Sequence, residues 1–200
     1  MKTAFCFDLD GTLTSTEILP SIASEAGIAE EIATLTRITM EGLIGFDDSM
    51  RLRTLILGQI PLARIHGIIA EIPLDPRLLD FVTRNPEDCF VVTGNLDLWV
   101  GPLIERLGCR AYTSRASMGD SRVLLEHVLD KGDVIRRIRA SLEYQRIIAV
   151  GDGANDVPMF QNADIAIAFG GVHSPTASAV GAACYVVHDG ETLCSLLQAL

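Results

Sequence analysis

The chain has 200 residues, 48% of them apolar, enough to bury the core of one domain or of one domain carrying an insert, which excludes a disordered chain. Sixteen basic residues against 26 acidic ones leave a net charge of −10, a balance that disfavours a nucleic-acid backbone or an anionic membrane as main partner. Five scattered cysteines (Cys6, Cys89, Cys109, Cys184 and Cys194) form no C-x-x-C pair, so neither a disulfide framework nor a zinc site is indicated.

The chain opens on "MKTAFCFDLD", which meets a charged pair too soon for a signal peptide. No apolar run approaches the roughly 18 residues of a membrane span, and a soluble protein of the reducing cytoplasm is expected. The first run, "TAFCFDL" (3–9), reads as a buried strand ending in Asp8 and Asp10. From residue 15 to 75 the rhythm changes: "TEILPSIASEAG", "AEEIATLTRITMEG", "FDDSMRLRTLILG" and "PLARIHGIIAEI" place apolar residues three and four apart, with glycines near their ends. Each predicts an amphipathic helix, and together they form a helical insert directly after strand one.

Four more apolar runs follow: "CFVVTG" (89–94), "RIIAVGDG" (146–153), "ADIAIAF" (163–169) and "ACYVV" (183–187). They read as buried strands, and the stretches between them, such as 96–108 and 130–142, read as helices. Alternating strand and helix predicts a doubly wound, mostly parallel, Rossmann-like α/β core over 1–14 and 76–200, with the small helical cap at 15–75. A shorter insert is expected over 114–128, where Gly119-Asp120 suits a hairpin turn.

In open α/β sheets ligands bind beyond the carboxyl ends of the strands, and the polar residues gather there. Strand one ends in Asp8 and Asp10, a later one in Thr93-Gly94-Asn95, another in Asp152-Gly153-Ala154-Asn155-Asp156. Residues two apart on a strand share a face, so Asp8 and Asp10 point together, unless the strand has already bent and Asp10 offers its carbonyl. Asp152 from a neighbouring strand adds a third carboxylate. Such crowding raises every pKa unless a cation neutralises it, and an oxygen-only set suits a hard ion such as Mg²⁺. "DLDGTL" does not fit a calcium loop, because its glycine comes fourth rather than sixth, and "GDGAND" has Asp156 where a dinucleotide fingerprint needs glycine.

With "DLDGTLT", Thr93-Gly94, Lys131 and "GDGANDVPMF" in hand, the chain resembles the haloacid dehalogenase superfamily of aspartate-nucleophile phosphatases. Within it, the phosphoserine phosphatases match best, since "TE" after the first motif and "MEGLIGFDDSMRLR" resemble their helical cap. The resemblance implies Mg²⁺ held by Asp8, Asp10 and Asp152, with Asp8 as nucleophile and Asp10 as general acid and base. It implies further that Thr93, Gly94 and Lys131 hold the phosphoryl group, that Asn155 faces substrate and that Asp156 supports the site. Glu17 and Arg53 would read the ammonium and carboxylate of phosphoserine, between apolar walls from Met40 and Phe46. The implied partner is a small phosphorylated metabolite, a phospho-amino acid.

Arg51 serves as the internal control for Arg53, because on a helix the two lie roughly 200° apart. Two features depart from the pattern: Asn95 stands where a second glycine is usual, and the region 114–128 is shortened. Hydrolysis of another small phosphomonoester, phosphoryl transfer to an alcohol such as homoserine, and a non-catalytic binding protein on the same fold are the competing expectations.

Overall fold

The computed structural model describes residues 2–40 and 43–200, the Met40 side chain excepted. Among the described residues seven strands form one sheet: β1 (Thr3–Phe7), β2 (Cys89–Leu96), β3 (Arg110–Met118), β4 (Val123–His127), β5 (Arg146–Gly151), β6 (Ile165–Phe169) and β7 (Tyr185–Val187). Their order is β4-β3-β2-β1-β5-β6-β7, parallel throughout except for the antiparallel pair β3 and β4. The three central strands are buried almost along their whole length, which is why they read as unbroken apolar runs.

Helices pack on both faces. β1 sends Phe7 to one face and Ala4 and Cys6 to the other. On the first face lies α5 (Pro76–Arg84), whose Phe81 takes Phe5 and Phe7 edge-on, with ring centroids 5.1 and 6.1 Å apart. α6 (Asp97–Leu107) and α10 (Gly190–Ala199) complete that layer. α7 (Lys131–Ala140), α8 (Val157–Asn162) and α9 (Ala177–Ala182) cover the second face through Val134, Ile135, Met159, Phe160 and Ala179. The doubly wound α/β architecture expected from the sequence is present.

Four helices follow strand one, as the periodicity predicts: α1 (Ile18–Glu25), α2 (Ala29–Met40), α3 (Phe46–Leu57) and α4 (Leu62–Ala70). The last two residues expected in the second helix, 41 and 42, lie outside the described residues. Entry and exit of this segment are stitched together: Ser15 N donates to Pro73 O at 2.8 Å, and Asp75 N to Leu13 O at 2.9 Å. α4 is seated on α6, where His66 Nε2 lies 2.6 Å from Leu98 O and Arg106 donates to the carbonyls of Ala70 and Ile72.

One strand was not legible in advance. β3 is polar ("RAYTSRASM") and only half-buried, so it carries no continuous apolar signal. Its outer part and β4 form the hairpin expected over 114–128, and Val123 N donates to Gly58 O at 2.8 Å, tying that hairpin to the end of α3.

Candidate active site

The site begins where β1 ends. Asp8 continues the extended backbone (φ −64°, ψ 159°), and its N–H donates to Val150 O at 2.9 Å, so pairing with β5 fixes its backbone. The chain then makes one wide turn over Leu9–Leu13, in which Gly11 adopts φ 77°. A Cβ on Gly11 would lie 3.3 to 3.4 Å from the side chains of Glu17, Asp152 and His173, so glycine serves both the turn and the close approach.

Asp130 caps α7 by accepting from Gly132 N at 2.7 Å and Asp133 N at 3.1 Å, which sets Lys131 at the first helical position. From there its ammonium reaches Asp8 Oδ1 at 2.7 Å and Asp156 Oδ1 at 2.6 Å, with only 2% of the side chain exposed. The other oxygen of Asp156 accepts from Asp152 N and Gly153 N, both at 2.9 Å. Both oxygens of Asp156 are thereby engaged, and it fixes the loop that carries Asp152. Asp152 in turn accepts from Thr12 Oγ1 at 3.0 Å and lies 3.2 Å from His173 Nε2.

Oxygen atoms of Asp8, Asp152 and Asp156 come within 4.8 Å of one another, all buried. Burial pushes the Asp8 carboxyl well above its ordinary range; Lys131 pulls it down, while Asp156 and Asp152 push it further up. Burial likewise raises Asp152, against the pull of His173. Lys131 is held charged: burial works against the ammonium, and Asp156 and Asp8 outweigh it. A site of buried, partly uncompensated carboxylates with no soft donor among them fits a hard cation.

The Asp10 carboxylate is not in that cluster. Its Oδ1 accepts from Ile18 N at 2.7 Å, so the side chain faces the start of α1. Burial, with a further push from the Glu17 charge, lifts its pKa to about 8.

Above these residues lies a cavity of about 410 Å³. Asp8, Asp10 and Asp152 form its floor beside Thr93, Gly94 and Asn95, with Asn155 at one side. Glu17, Phe46 and Arg53 form its upper wall, together with Thr36 and Thr39 of α2. Arg53 is buried and donates to Thr36 Oγ1 at 2.9 Å, while its Nε has no partner among the described residues; Arg51 is exposed. Burial lowers the Arg53 pKa, and the Asp10 and Glu17 charges oppose this. The Met40 side chain lies outside the described residues. Lys131 does not line the cavity and sits behind Asp8.

A family model for haloacid dehalogenase-like hydrolases matches residues 5–161, which takes in every motif at the floor of the cavity. The chain belongs to this family. Among its relatives, a phosphoserine phosphatase from Methanocaldococcus jannaschii is 31% identical over 182 residues, covering 84% of this chain and 85% of that one. A solved structure described as a substrate-bound phosphoserine phosphatase complex superposes with a TM-score of 0.84 at 28% identity, covering 100% of this chain and 99% of the other. Another, a phospho-aspartyl intermediate analogue of phosphoserine phosphatase, gives 0.82 at 28% identity, with the same coverage.

Sequence reasoning missed His173, whose Nε2 spans Asp152 Oδ2 at 3.2 Å and Glu17 Oε1 at 3.0 Å, while Nδ1 faces Ser174 O at 3.1 Å. Those two carboxylates raise its pKa to about 11. The signal was available: "GGVHSP" follows β6, so His173 sits beyond a strand's carboxyl end like the other site residues. Thr36 and Thr39 gave no such signal, because a threonine on a helix has no strand end to mark it.

Proposed function

We propose that this haloacid dehalogenase-like hydrolase dephosphorylates O-phosphoserine through an aspartyl-phosphate on Asp8. The observation that carries the substrate is Arg53, a buried guanidinium with one N–H unpartnered, on the wall of a cavity whose floor holds the reactive carboxylates. A guanidinium so placed takes a substrate carboxylate through paired hydrogen bonds, and Glu17 beside it suits an ammonium. The curated relative and the two solved structures act on, or are named for, the same substrate.

Asp8 attacks phosphorus in line, and the alkoxide of serine departs opposite it. Lys131, 2.7 Å behind Asp8, pulls the attacking carboxylate towards its ionised form and damps the repulsion between it and the phosphoryl oxygens. The Thr93 hydroxyl and the Gly94 N–H sit at the cavity floor to hold those oxygens, and Asn155 faces the substrate from the side. Asp10, with its pKa near 8, carries a proton at neutral pH and gives it to the leaving oxygen. It then takes a proton from the water that opens the aspartyl-phosphate. Asp8 and Asp152, with an oxygen of Asp10, would hold Mg²⁺, which when bound supplies positive charge beside both the nucleophile and the phosphoryl oxygens. Residues 15–75 act as a cap that excludes water and reads the alcohol, and the five free thiols suit a reducing, cytoplasmic setting.

The test is Mg²⁺-dependent phosphate release across a panel of phosphomonoesters, repeated with Arg53→Ala. The reading requires phosphoserine to lead the panel and the variant to raise KM for it far more than for an aryl phosphate. Equal or better turnover of a phosphate ester lacking the amino-acid group would refute it.

A further inference from the structure

β2 and β3 pair in register up to Thr93 and Thr113, and resume at Leu96 and Ser114. Gly94 and Asn95 therefore bulge out of the ladder, with Gly94 O held by Ser114 Oγ at 2.7 Å. A bulge of this kind re-aims a side chain, and here it turns Asn95 into the cavity.

Asn95 is 6% exposed, and its amide is orientated by what surrounds it. Its Nδ2 lies 3.5 Å from Thr93 Oγ1, and its side chain also lowers the Asp10 pKa against the effect of burial. The amide nitrogen thus faces the protein. Oδ1 is left buried with no partner among the described residues, on a residue that lines the cavity. An acceptor desolvated in this way costs stability unless a ligand brings a donor to it. Glu17, the other acceptor on that side, is shared with His173 Nε2 at 3.0 Å.

We infer that Asn95 is a specificity-determining residue: its Oδ1 accepts from a donor, ammonium or hydroxyl, on the carbon next to the ester carbon of the substrate. The geometry ties this to the chemistry, because Asn95 lines the same cavity as Asp10, the group that protonates the ester oxygen. The acceptor and the acid therefore border one space, and a 1,2-amino alcohol phosphate spans it. The inference rests on the proposed reading of the substrate as phosphoserine, and it assigns to Asn95 a share of ammonium recognition that Glu17 alone does not supply.

The experiment uses three substrates that keep the phosphate and the carboxylate: O-phosphoserine, its analogue with hydroxyl in place of the ammonium, and the analogue with hydrogen there. kcat/KM is measured for the wild type, Asn95→Ala and Asn95→Ser, with melting curves to check that each variant folds. The wild type is expected to favour ammonium over hydrogen, and Asn95→Ala to shrink that ratio by about ten-fold or more, as loss of a hydrogen bond to a charged group implies. Asn95→Ser, which keeps one oxygen, should recover part of the ratio. If Asn95→Ala fails to fold, Asn95→Ser against the wild type carries the same comparison. A ratio unchanged in the variants, or a loss equal for all three substrates, overturns the inference and leaves Asn95 only a support for Asp10. Wild-type preference for the hydroxyl analogue, lost in Asn95→Ala, would refute the phosphoserine reading while sustaining the role of Asn95.

Discussion

A methyl group added at Gly94 collides with the edge of the Phe46 ring. A Cβ built there lies 2.7 Å from Phe46 Cε1 and closer still to Cζ, whereas carbon atoms rest about 3.5 to 4.0 Å apart. Phe46 opens α3 in the cap segment and Gly94 is on the floor of the cavity, so the ring must retreat by about 1 Å or the cap must lift. Overpacking of this size costs about 1 to 3 kcal/mol, hence a loss of about five- to 160-fold in kcat/KM for Gly94→Ala. Phe46→Ala removes the obstacle, so the penalty of Gly94→Ala measured in that background should shrink by about 1 kcal/mol or more. The assay is phosphate release from phosphoserine by wild type, both single variants and the double variant. Wild-type kinetics for Gly94→Ala, or an undiminished penalty in the Phe46→Ala background, would refute the claim that the cap closes on this glycine.

Lys131→Met strands two buried carboxylates, and its melting temperature in EDTA should fall by an amount matching about 3 to 5 kcal/mol; a surface-like loss would show that Asp8 and Asp156 do not depend on it. The metal-free protein should lose stability as pH rises. Asp10 titrates near 8 when folded and near 3.9 when unfolded, so the folded state holds the extra proton between those values; Asp8, Asp152 and His173 are raised too and act in the same direction. Mg²⁺ should therefore stabilise more at pH 8 than at pH 5, and thermal melts with and without Mg²⁺ that show the reverse would contradict the carboxylate site. His173→Ala removes a cation from Asp152 and should tighten Mg²⁺ binding by up to about ten-fold, read by calorimetry; weaker binding would mean that His173 orders the site instead.

The core was legible because its strands are buried on both faces, so "TAFCF", "CFVV" and "RIIAV" carry an unbroken apolar signal, and their ends collect the carboxylates. β3 was not, because its outer part is a half-exposed hairpin arm whose polar residues resemble a loop. Asp8, Thr93 and Asp152 could be placed by the strand-end rule alone. That Lys131 sits behind Asp8 rather than on the cavity wall needed the packing of α7, and that the Asp10 side chain turns to Ile18 needed the geometry of the turn over 9–13. Helical phase allowed only one of Arg51 and Arg53 to face the site, the family resemblance picked Arg53, and the structure buries Arg53 and exposes Arg51. His173 went unseen because a single histidine in a glycine-rich loop gains meaning only once Glu17 and Asp152 are known to flank it.

The central claim is that Asp8 becomes phosphorylated in turnover. Mixing enzyme, Mg²⁺ and phosphoserine, quenching with acid within one turnover and mapping peptides by mass spectrometry tests it directly. The account predicts one added phosphoryl group on the peptide carrying Asp8, absent in Asp8→Asn, which should also lose turnover. A label on another residue, or undiminished hydrolysis by Asp8→Asn, would contradict it.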